Sequence, residues 1–121
     1  MNAVEIEQAV SELAESPFDA EEFPFAFLTA FGNKATTLKR LRAGASNKSD
    51  VGGVLQTNNA HLKVCAPGSV ADTLSELRES RATAKGKVKV IVATDGRTFE
   101  AEDLNSGETV ACEYPEFADH F

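Results

Sequence analysis

Apolar residues recur at helical spacing near the start of the chain. Ile6, Val10 and Leu13 stand at i, i+4 and i+7, which predicts one narrow apolar stripe along an amphipathic helix. The pair Ser16-Pro17 predicts the end of this helix, because the residue before a proline is pushed out of the helical region. The first element is therefore predicted to be a surface helix with a single buried face.

Two further helices are predicted to follow. The segment from Asp19 to Gly32 is rich in apolar residues, and we place the start of its helix near Glu22, so that Pro24 falls in the first turn, where its missing N–H is tolerated. Asn33 is predicted to cap a third helix over residues 34–42.

Five of the eight phenylalanines fall within residues 18–31. A stacking surface for nucleic-acid bases interleaves aromatic rings with basic side chains, and this segment contains no Lys or Arg. The rings are therefore predicted to fill the hydrophobic core.

The pattern changes to strand-like alternation after a polar loop over residues 44–50. Two extended runs, Val51–Gln56 and Ala60–Cys65, flank the segment 57–59, which contains two asparagines. Asparagine tolerates the left-handed backbone conformation, so this segment predicts a β-hairpin turn. The glycine pair at 52–53 indicates a bulge or a close backbone approach.

The rest of the chain predicts one more helix and three strands. Ser69 and Asp72 form a capping-box-like start for a fourth helix, and the basic segment 81–87 is predicted to be a plain connection. Strands follow at 88–93, 98–104 and 109–114, and Pro115 begins a helical turn. The predicted order is ααα-ββ-α-βββ-α. This is an α/β fold of the α+β type, with a mixed sheet and a helix packed on it: one domain over 1–121, with a helical part at 1–43 and a sheet part at 50–114.

Composition is that of an ordinary globular domain. The chain has 121 residues, of which 42% are hydrophobic and 26% charged, enough to form one real core. No apolar run approaches the ~20 residues of a membrane-spanning helix, and the acidic N-terminus lacks the basic start of a secretory signal. Cys65 and Cys112 lie far apart and are predicted to be reduced thiols in a cytoplasmic protein.

The net charge of −7 is distributed unevenly. Residues 1–32 and 98–121 each contain seven acids and no Lys or Arg, whereas 23–49 contains five cations and no acid. Affinity for nucleic acid comes largely from neutralised phosphates, so only the basic segment is predicted to approach DNA. Its candidate DNA-binding residues are Lys34, Lys39, Arg40, Arg42 and Lys48. The alternative is a solvated helix face that balances the acidic first helix.

Metal-assisted hydrolysis is the first chemistry that the hairpin suggests. Asp50, before the first strand, is available as an oxygen ligand for Mg²⁺. The alternating positions of the second strand that would supply a carboxylate and a lysine read His61, Lys63 and Cys65. A thiol is a poor ligand for a hard cation, and an ammonium cannot bind one. Asp50, Lys63 and Cys65 are therefore only vestigial catalytic candidates, and no metal site is predicted.

Cysteine and zinc chemistry are disfavoured by spacing. His61 and Cys65 share one face of a strand but lie about 13 Å apart along it, too far for a nucleophile and its base. The pairs 61/65 and 112/120 match no zinc-binding pattern, and the chain contains neither glycine-rich nucleotide-binding motif. Both cysteines are predicted to act as small apolar side chains.

Six segments give the chain a resemblance to a known family. It is similar, over most of its length, to the N-terminal domain of the MmeI-like (type IIL) class I S-adenosylmethionine-dependent DNA methyltransferases and their phage-defence relatives. The segments that carry the resemblance are Phe27–Gly32, Thr36–Leu41, Asp50–Leu55, Lys63–Gly68, Val90–Gly96 and Phe99–Leu104.

The resemblance implies a domain similar to a PD-(D/E)xK nuclease, followed on a longer chain by helices, a methyltransferase domain and a target-recognition domain. Asp50 matches the first acid of the nuclease pattern, whereas Lys63 and Cys65 depart from its acid–x–lysine pair. The implied function is a non-catalytic N-terminal domain of a bacterial adenine-specific DNA methyltransferase, of restriction–modification or phage-defence type. It would dock on downstream domains of the same polypeptide and assist DNA binding, and S-adenosylmethionine would serve the full-length enzyme only. The segment 114–121 is expected to be followed by more protein.

Two other functions remain open at this point. An active metal-dependent PD-(D/E)xK endonuclease domain would nick DNA in the presence of Mg²⁺ and would lose that activity on Asp50→Ala. A free-standing protein-interaction module would form a stable dimer, and its gene would stop near Phe121.

Overall fold

The computed structural model describes residues 2–120; Met1 and Phe121, the ends of the predicted domain, lie outside the described residues. The helices are α1 (Ala3–Glu15), α2 (Phe23–Ala30), α3 (Ala35–Arg42), α4 (Val70–Glu79) and α5 (Arg81–Lys85), with a 3-10 segment at Tyr114–His120. The strands are β1 (Val54–Gln56), β2 (Ala60–Val64), β3 (Val90–Thr94), β4 (Thr98–Asp103) and β5 (Thr109–Glu113). Among residues 2–120, no helix has both the length and the apolar character needed to cross a bilayer.

The five strands form one mixed sheet in chain order, from β1 to β5. Neighbouring strands are antiparallel, except that β2 and β3 run parallel and are joined by a crossover through α4 and α5. The predicted fold class and element order are confirmed, with α5 as an addition.

The sheet separates two hydrophobic clusters. Leu62, Val92 and Phe99 enter the larger cluster, which α1, α2, α3 and the 3-10 segment cover. Leu55 and Ile91 enter the smaller cluster, which contains the buried apolar residues of α4. Successive side chains of a strand point to opposite faces, so the same strands supply both clusters.

Aromatic rings form the centre of the larger cluster, as predicted from the phenylalanine-rich segment. Phe23 and Phe27 of α2 are buried there. The rings of Phe99 and Phe117 stack with their centroids 4.6 Å apart and their planes 12° from parallel. Phe117 lies in the 3-10 segment, so this stack fixes the C-terminal turn to the sheet.

The helix ends agree with the prediction in two of three places. The chain leaves α1 at Ser16, and α2 begins at Phe23 with Pro24 in its first turn. The predicted cap of α3 is wrong, because Lys34 occupies the N-cap position and no side chain caps the helix. Asn33 instead donates its side-chain N–H to the Leu28 carbonyl at 2.8 Å, which satisfies an acceptor at the end of α2.

The first strand is shorter than predicted, since β1 begins at Val54 and residues 51–53 are irregular. A Cβ atom on Gly53 would lie 2.4 Å from the carbonyl oxygen of Leu62, so the backbones approach too closely for any side chain. The predicted close approach is confirmed. The hairpin turn is also confirmed, with Asn58 at φ 65°.

Two predictions around α4 are wrong. Ser69 precedes α4 but makes no capping hydrogen bond through its side chain. The segment 81–87 is more than a connection, because residues 81–85 form α5. Ser80 caps α5 by accepting the N–H of Thr83, a role that its position between two helices concealed.

The turn between β3 and β4 is held by the carboxylate of Asp95. It accepts N–H groups from Gly68, Arg97 and Thr98 at 2.9–3.0 Å. Desolvation opposes ionisation, but these hydrogen bonds prevail and lower the pKa of Asp95 to about 2. The Gly68 bond also ties the turn to the segment that leads into α4.

Candidate site on the α4 face of the second strand

The candidate site lies on the face of β2 that packs against α4. His61 pairs in the sheet with Leu55 on one side and Ile91 on the other, and both partners belong to the smaller cluster. Lys63 and Cys65 follow at alternate positions, and each bonds to a different part of the structure. His61, Lys63 and Cys65 therefore stand at alternate positions along this segment, and the hydrogen-bond partner of each side chain determines its role.

His61 is fully buried and bonded at both ring nitrogens. The Thr83 hydroxyl donates to the Leu77 carbonyl at 2.7 Å, so it accepts from Nδ1–H of His61, 2.8 Å away. Nε2 is then unprotonated and accepts the Ser49 hydroxyl at 2.7 Å. We call the three side chains and the Leu77 carbonyl the His61 network.

Burial determines the ionisation of the His61 network. Desolvation is the largest effect and lowers the pKa of His61 below its ordinary value. The charge of Asp50 is the next largest effect and opposes this shift; Lys63 and Glu76 follow, the first lowering the pKa and the second raising it. The imidazole is therefore held neutral, in one tautomer. The Ser49 hydroxyl also accepts the Gly53 N–H at 3.0 Å, so it bonds to the backbone just before β1 as well as to His61.

Asp50 caps α5. Its carboxylate accepts the Ser80 hydroxyl at 2.5 Å, and Ser80 is the N-cap residue of α5. This hydrogen bond lowers the pKa of Asp50; partial desolvation opposes the shift, and the backbone N–H of Ala82 adds to it. A carboxylate at a helix N-terminus is also favoured by the helix dipole.

Lys63 and Cys65 make contacts that stabilise the fold. The Lys63 ammonium lies 2.7 Å from a carboxylate oxygen of Glu76 on α4. The Cys65 sulfur, partly buried, lies 3.6 Å from the Thr94 carbonyl oxygen and packs against the smaller cluster. The first contact joins β2 to α4, and the second joins the segment just after β2 to β3.

The described residues contain no group of three or more His, Cys, Asp or Glu side chains that could hold a metal ion. The two acids near β2 are separately engaged, Asp50 by Ser80 and Glu76 by Lys63. An octahedral Mg²⁺ shell needs several oxygen ligands converging on one point. The arrangement can hold α4, α5 and the sheet together, but offers no converging oxygen set.

The predicted DNA-binding residues lie on α3, at its N-cap and in the loop before β1. Lys39, Arg40 and Arg42, which we call the α3 cations, are exposed on the last turns of α3. Arg42 makes two hydrogen bonds of 2.6 and 2.9 Å to Glu22, and its guanidinium lies 4.3 Å from the centre of the Phe25 ring. Hydrogen bonding to Glu22 raises the pKa of Arg42, so this cation is already neutralised locally.

Lys34 and Lys48 lie apart from the last turns of α3. Lys34 is exposed at the N-cap of α3. Lys48 lines a cleft of about 540 Å³ with Asp50, Thr57 and the α5 cations Arg81 and Lys85; Ala82 and Gly86 complete its wall. We call this the basic cleft.

Comparison with known proteins agrees with the resemblance seen in the sequence. The whole chain, residues 1–121, matches the family described as MmeI, N-terminal domain. The chain belongs to this family. No curated protein and no solved structure matches it.

Sequence reasoning missed several residues that organise this MmeI N-terminal domain. His61 had been considered only as a metal or cysteine partner, although its place between apolar strand neighbours was a signal of burial. Ser49, Ser80 and Thr83 had no local signal, because their partners lie 12, 30 and 22 residues away in the chain. The α5 cations were missed because residues 81–87 were interpreted as a connection.

Proposed function

We propose that this MmeI N-terminal domain is a non-catalytic module of a bacterial adenine-specific DNA methyltransferase, of restriction–modification or phage-defence type. Its role is to dock on downstream domains of the same cytoplasmic polypeptide and to assist DNA binding. S-adenosylmethionine would be bound by those downstream domains. Membership of the MmeI N-terminal domain family supports the proposal that this domain is part of a restriction–modification methyltransferase.

The single observation that carries the non-catalytic role is the engagement of the nuclease-like positions. Asp50 bonds to Ser80, Lys63 pairs with Glu76, and His61 is buried with both nitrogens bonded. A divalent cation would have to break these bonds and replace them with ligands that this face does not supply. Structural bonding of all three positions favours a scaffold over a cleavage site.

Nicking of supercoiled DNA tests this role. We expect no nicking by the wild-type chain with Mg²⁺ or Mn²⁺, and Asp50→Asn should behave the same way. Divalent-dependent nicking that Asp50→Asn abolishes would refute the proposal in favour of the endonuclease. Glu108→Gln, an exposed acid outside the site, is the matched control for contaminating nuclease, since it should not change any background.

The proposed DNA contact rests on the α3 cations that remain available. Lys39 and Arg40 are exposed, and neither side chain makes a hydrogen bond or ion pair with another residue in the range 2–120. Each phosphate neutralised by such a side chain releases condensed counterions and strengthens binding at low salt. Because Arg42 is paired with Glu22, we assign it a smaller contribution to DNA binding than Lys39 and Arg40.

Charge reversal tests the α3 contact. Arg40→Glu should weaken duplex binding by the full-length protein and flatten its dependence on salt. Arg97→Glu, an exposed cation in the β3–β4 turn, is the charge-matched control and should have less effect. Equal binding by wild type and Arg40→Glu across salt concentrations would refute the α3 contact.

Docking is tested by dividing the full-length protein. The domain and the downstream remainder, expressed as separate polypeptides, should co-purify and elute together. Failure to associate, combined with a stable dimer of the domain alone, would favour the free-standing interaction module. The reading frame past Phe121 provides an independent check, since docking requires it to continue.

A further inference from the structure

We propose that the basic cleft binds a phosphate group, and that the group is a backbone phosphate of duplex DNA or a free phosphate compound. The cleft measures about 540 Å³, within the range of small-ligand sites. This inference deepens the proposed DNA contact and rests on it only where the phosphate comes from DNA. It adds Arg81 and Lys85, which the sequence-based set of DNA-binding residues did not contain.

Three cations line the cleft, from two separate segments. Lys48 comes from the loop before β1, whereas Arg81 and Lys85 come from α5. The two α5 cations stand at i and i+4, so they share one side of that helix. Like charges at this spacing destabilise a helix, and a bound anion would relieve the repulsion.

None of the three cations of the cleft forms an ion pair with an acid within residues 2–120. Elsewhere in the described range, Arg42, Lys63 and Arg78 each pair with a glutamate at 2.6–2.7 Å. Lys48, Arg81 and Lys85 make no such pair, although the chain has 19 acids and only 12 Lys and Arg. What distinguishes the cleft is that three cations without an ion pair line one cavity, an arrangement that favours an anionic ligand.

The one acid in the cleft forms no ion pair with these cations within the described residues. Asp50 accepts the Ser80 hydroxyl at 2.5 Å and helps to cap α5. With this carboxylate counted, the lining still has one negative and three positive groups. Thr57 also lines the cleft and carries a neutral hydroxyl donor.

Both cationic segments are held in place before any ligand binds. Asn47 donates to the Gly53 carbonyl at 3.1 Å and accepts the Leu55 N–H at 2.9 Å, which fixes the loop next to Lys48 against β1. In α5, Thr83 is buried and bonded to His61. Only the long side chains must be ordered on binding, and preorganisation of this kind reduces the entropic loss.

Binding of inorganic pyrophosphate and of a short duplex by the 121-residue chain tests the inference. Pyrophosphate should shift the backbone amide NMR signals of residues 48 and 81–86 in a saturable way. Lys85→Gln should weaken duplex binding roughly three- to tenfold at low salt and reduce the slope of log affinity against log salt by about 0.9. Lys85→Arg should restore both, because it keeps the charge.

Two matched variants separate the possible outcomes. Arg97→Gln removes one exposed cation outside the cleft and should leave the cleft signals unchanged; Arg40→Gln removes one from α3. Loss of duplex binding in Arg40→Gln alone, with no pyrophosphate shifts, would overturn the cleft and leave the proposed α3 contact standing. Pyrophosphate binding that Lys85→Gln abolishes, without any duplex binding, would support the cleft with a free phosphate ligand and refute the DNA contact. Identical behaviour of Lys85→Gln and Arg97→Gln towards both probes would overturn the inference.

Discussion

The imidazole of His61 donates its Nδ1–H to the hydroxyl of Thr83 across 2.8 Å, and both side chains are buried. The bond joins β2 to α5 through two residues that lie 22 positions apart in the chain. It also determines the tautomer of His61, because the Thr83 hydroxyl is committed as a donor to the Leu77 carbonyl. One hydroxyl therefore links the sheet, α5 and the end of α4.

Removing that hydroxyl should destabilise the domain. Thr83→Val keeps the shape of the side chain but leaves Nδ1–H of His61 without an acceptor and the Leu77 carbonyl without its donor. An unsatisfied buried polar group costs about 1–3 kcal/mol, so the free energy of unfolding in urea should fall by that amount. Thr83→Ser keeps the hydroxyl and is the control. A valine variant as stable as the serine variant would contradict the role of the bond.

The folding stability should depend on pH through His61. Burial lowers its pKa below 6.5 in the folded state, with a smaller opposing effect from Asp50. The unfolded state therefore takes up the proton first as the pH falls. The stability contribution of neutral His61 is complete above about pH 6.5, and it is lost as the pH falls through the folded pKa.

Thermal unfolding of the wild type and of His61→Gln between neutral and mildly acidic pH checks this. One titrating proton changes the free energy of unfolding by at most about 1.4 kcal/mol per pH unit, and this pH dependence should be weaker in the variant. His120→Gln, an exposed histidine near the C-terminus, should retain the wild-type slope. A wild-type slope in His61→Gln would assign the pH dependence to other groups.

Ser80 should matter more to stability than an equally small serine on the helix surface. It caps α5 through the Thr83 N–H and donates to Asp50. Ser80→Ala should lower the free energy of unfolding by about 0.5–2 kcal/mol, the usual effect of losing an N-cap side chain. Ser75→Ala, on the exposed side of α4, is the matched control and should be close to neutral. If Ser80→Ala and Ser75→Ala lowered the free energy of unfolding in urea equally, the capping role of Ser80 would be refuted.

Gly53 should tolerate no side chain. An added Cβ would lie 2.4 Å from the Leu62 carbonyl oxygen, which belongs to the backbone and cannot rotate away. Gly53→Ala should lower the free energy of unfolding by about 1–3 kcal/mol, as overpacked sites do, and increase hydrogen exchange in β1.

Gly44→Ala separates crowding from backbone conformation. Gly44 has φ +85° with open space around its would-be Cβ, so its substitution strains only the backbone. It should leave exchange in β1 unchanged. Unchanged β1 exchange in Gly53→Ala would refute the close approach of the two strands.

The helical half of the fold was predictable because its signals are local. The period of Ile6, Val10 and Leu13, and the proline at position 24, depend only on neighbours within a turn or two of helix. The hairpin turn at Asn58 is local in the same sense. Capping predictions were less successful, since Asn33 bonds to the Leu28 carbonyl instead and the side chain of Ser69 makes no capping hydrogen bond.

The candidate site was predictable only in part. Alternation along the predicted strand placed His61 and Lys63 on β2, whereas Cys65 lies one residue beyond its end. It could not identify Ser80 as the partner of Asp50 or Thr83 as the partner of His61. It also grouped Lys48 with the α3 cations and could not show that Lys48 lines a cleft with Arg81 and Lys85 of α5.

By itself, the sequence determined the class of the fold, the element order apart from α5, the aromatic core and the family. These follow from periodicity, turn residues and composition, which act over a few positions or over the whole chain. Only the tertiary structure decided that Asp50 caps a helix, that His61 is a buried neutral crosslink, and that three cations meet in one cleft. The physical reason is that hydrogen bonds and charge–charge interactions depend on distances of a few ångströms. The crossover between β2 and β3 brings together residues that are far apart in the chain, and nothing in their local sequence signals the contact.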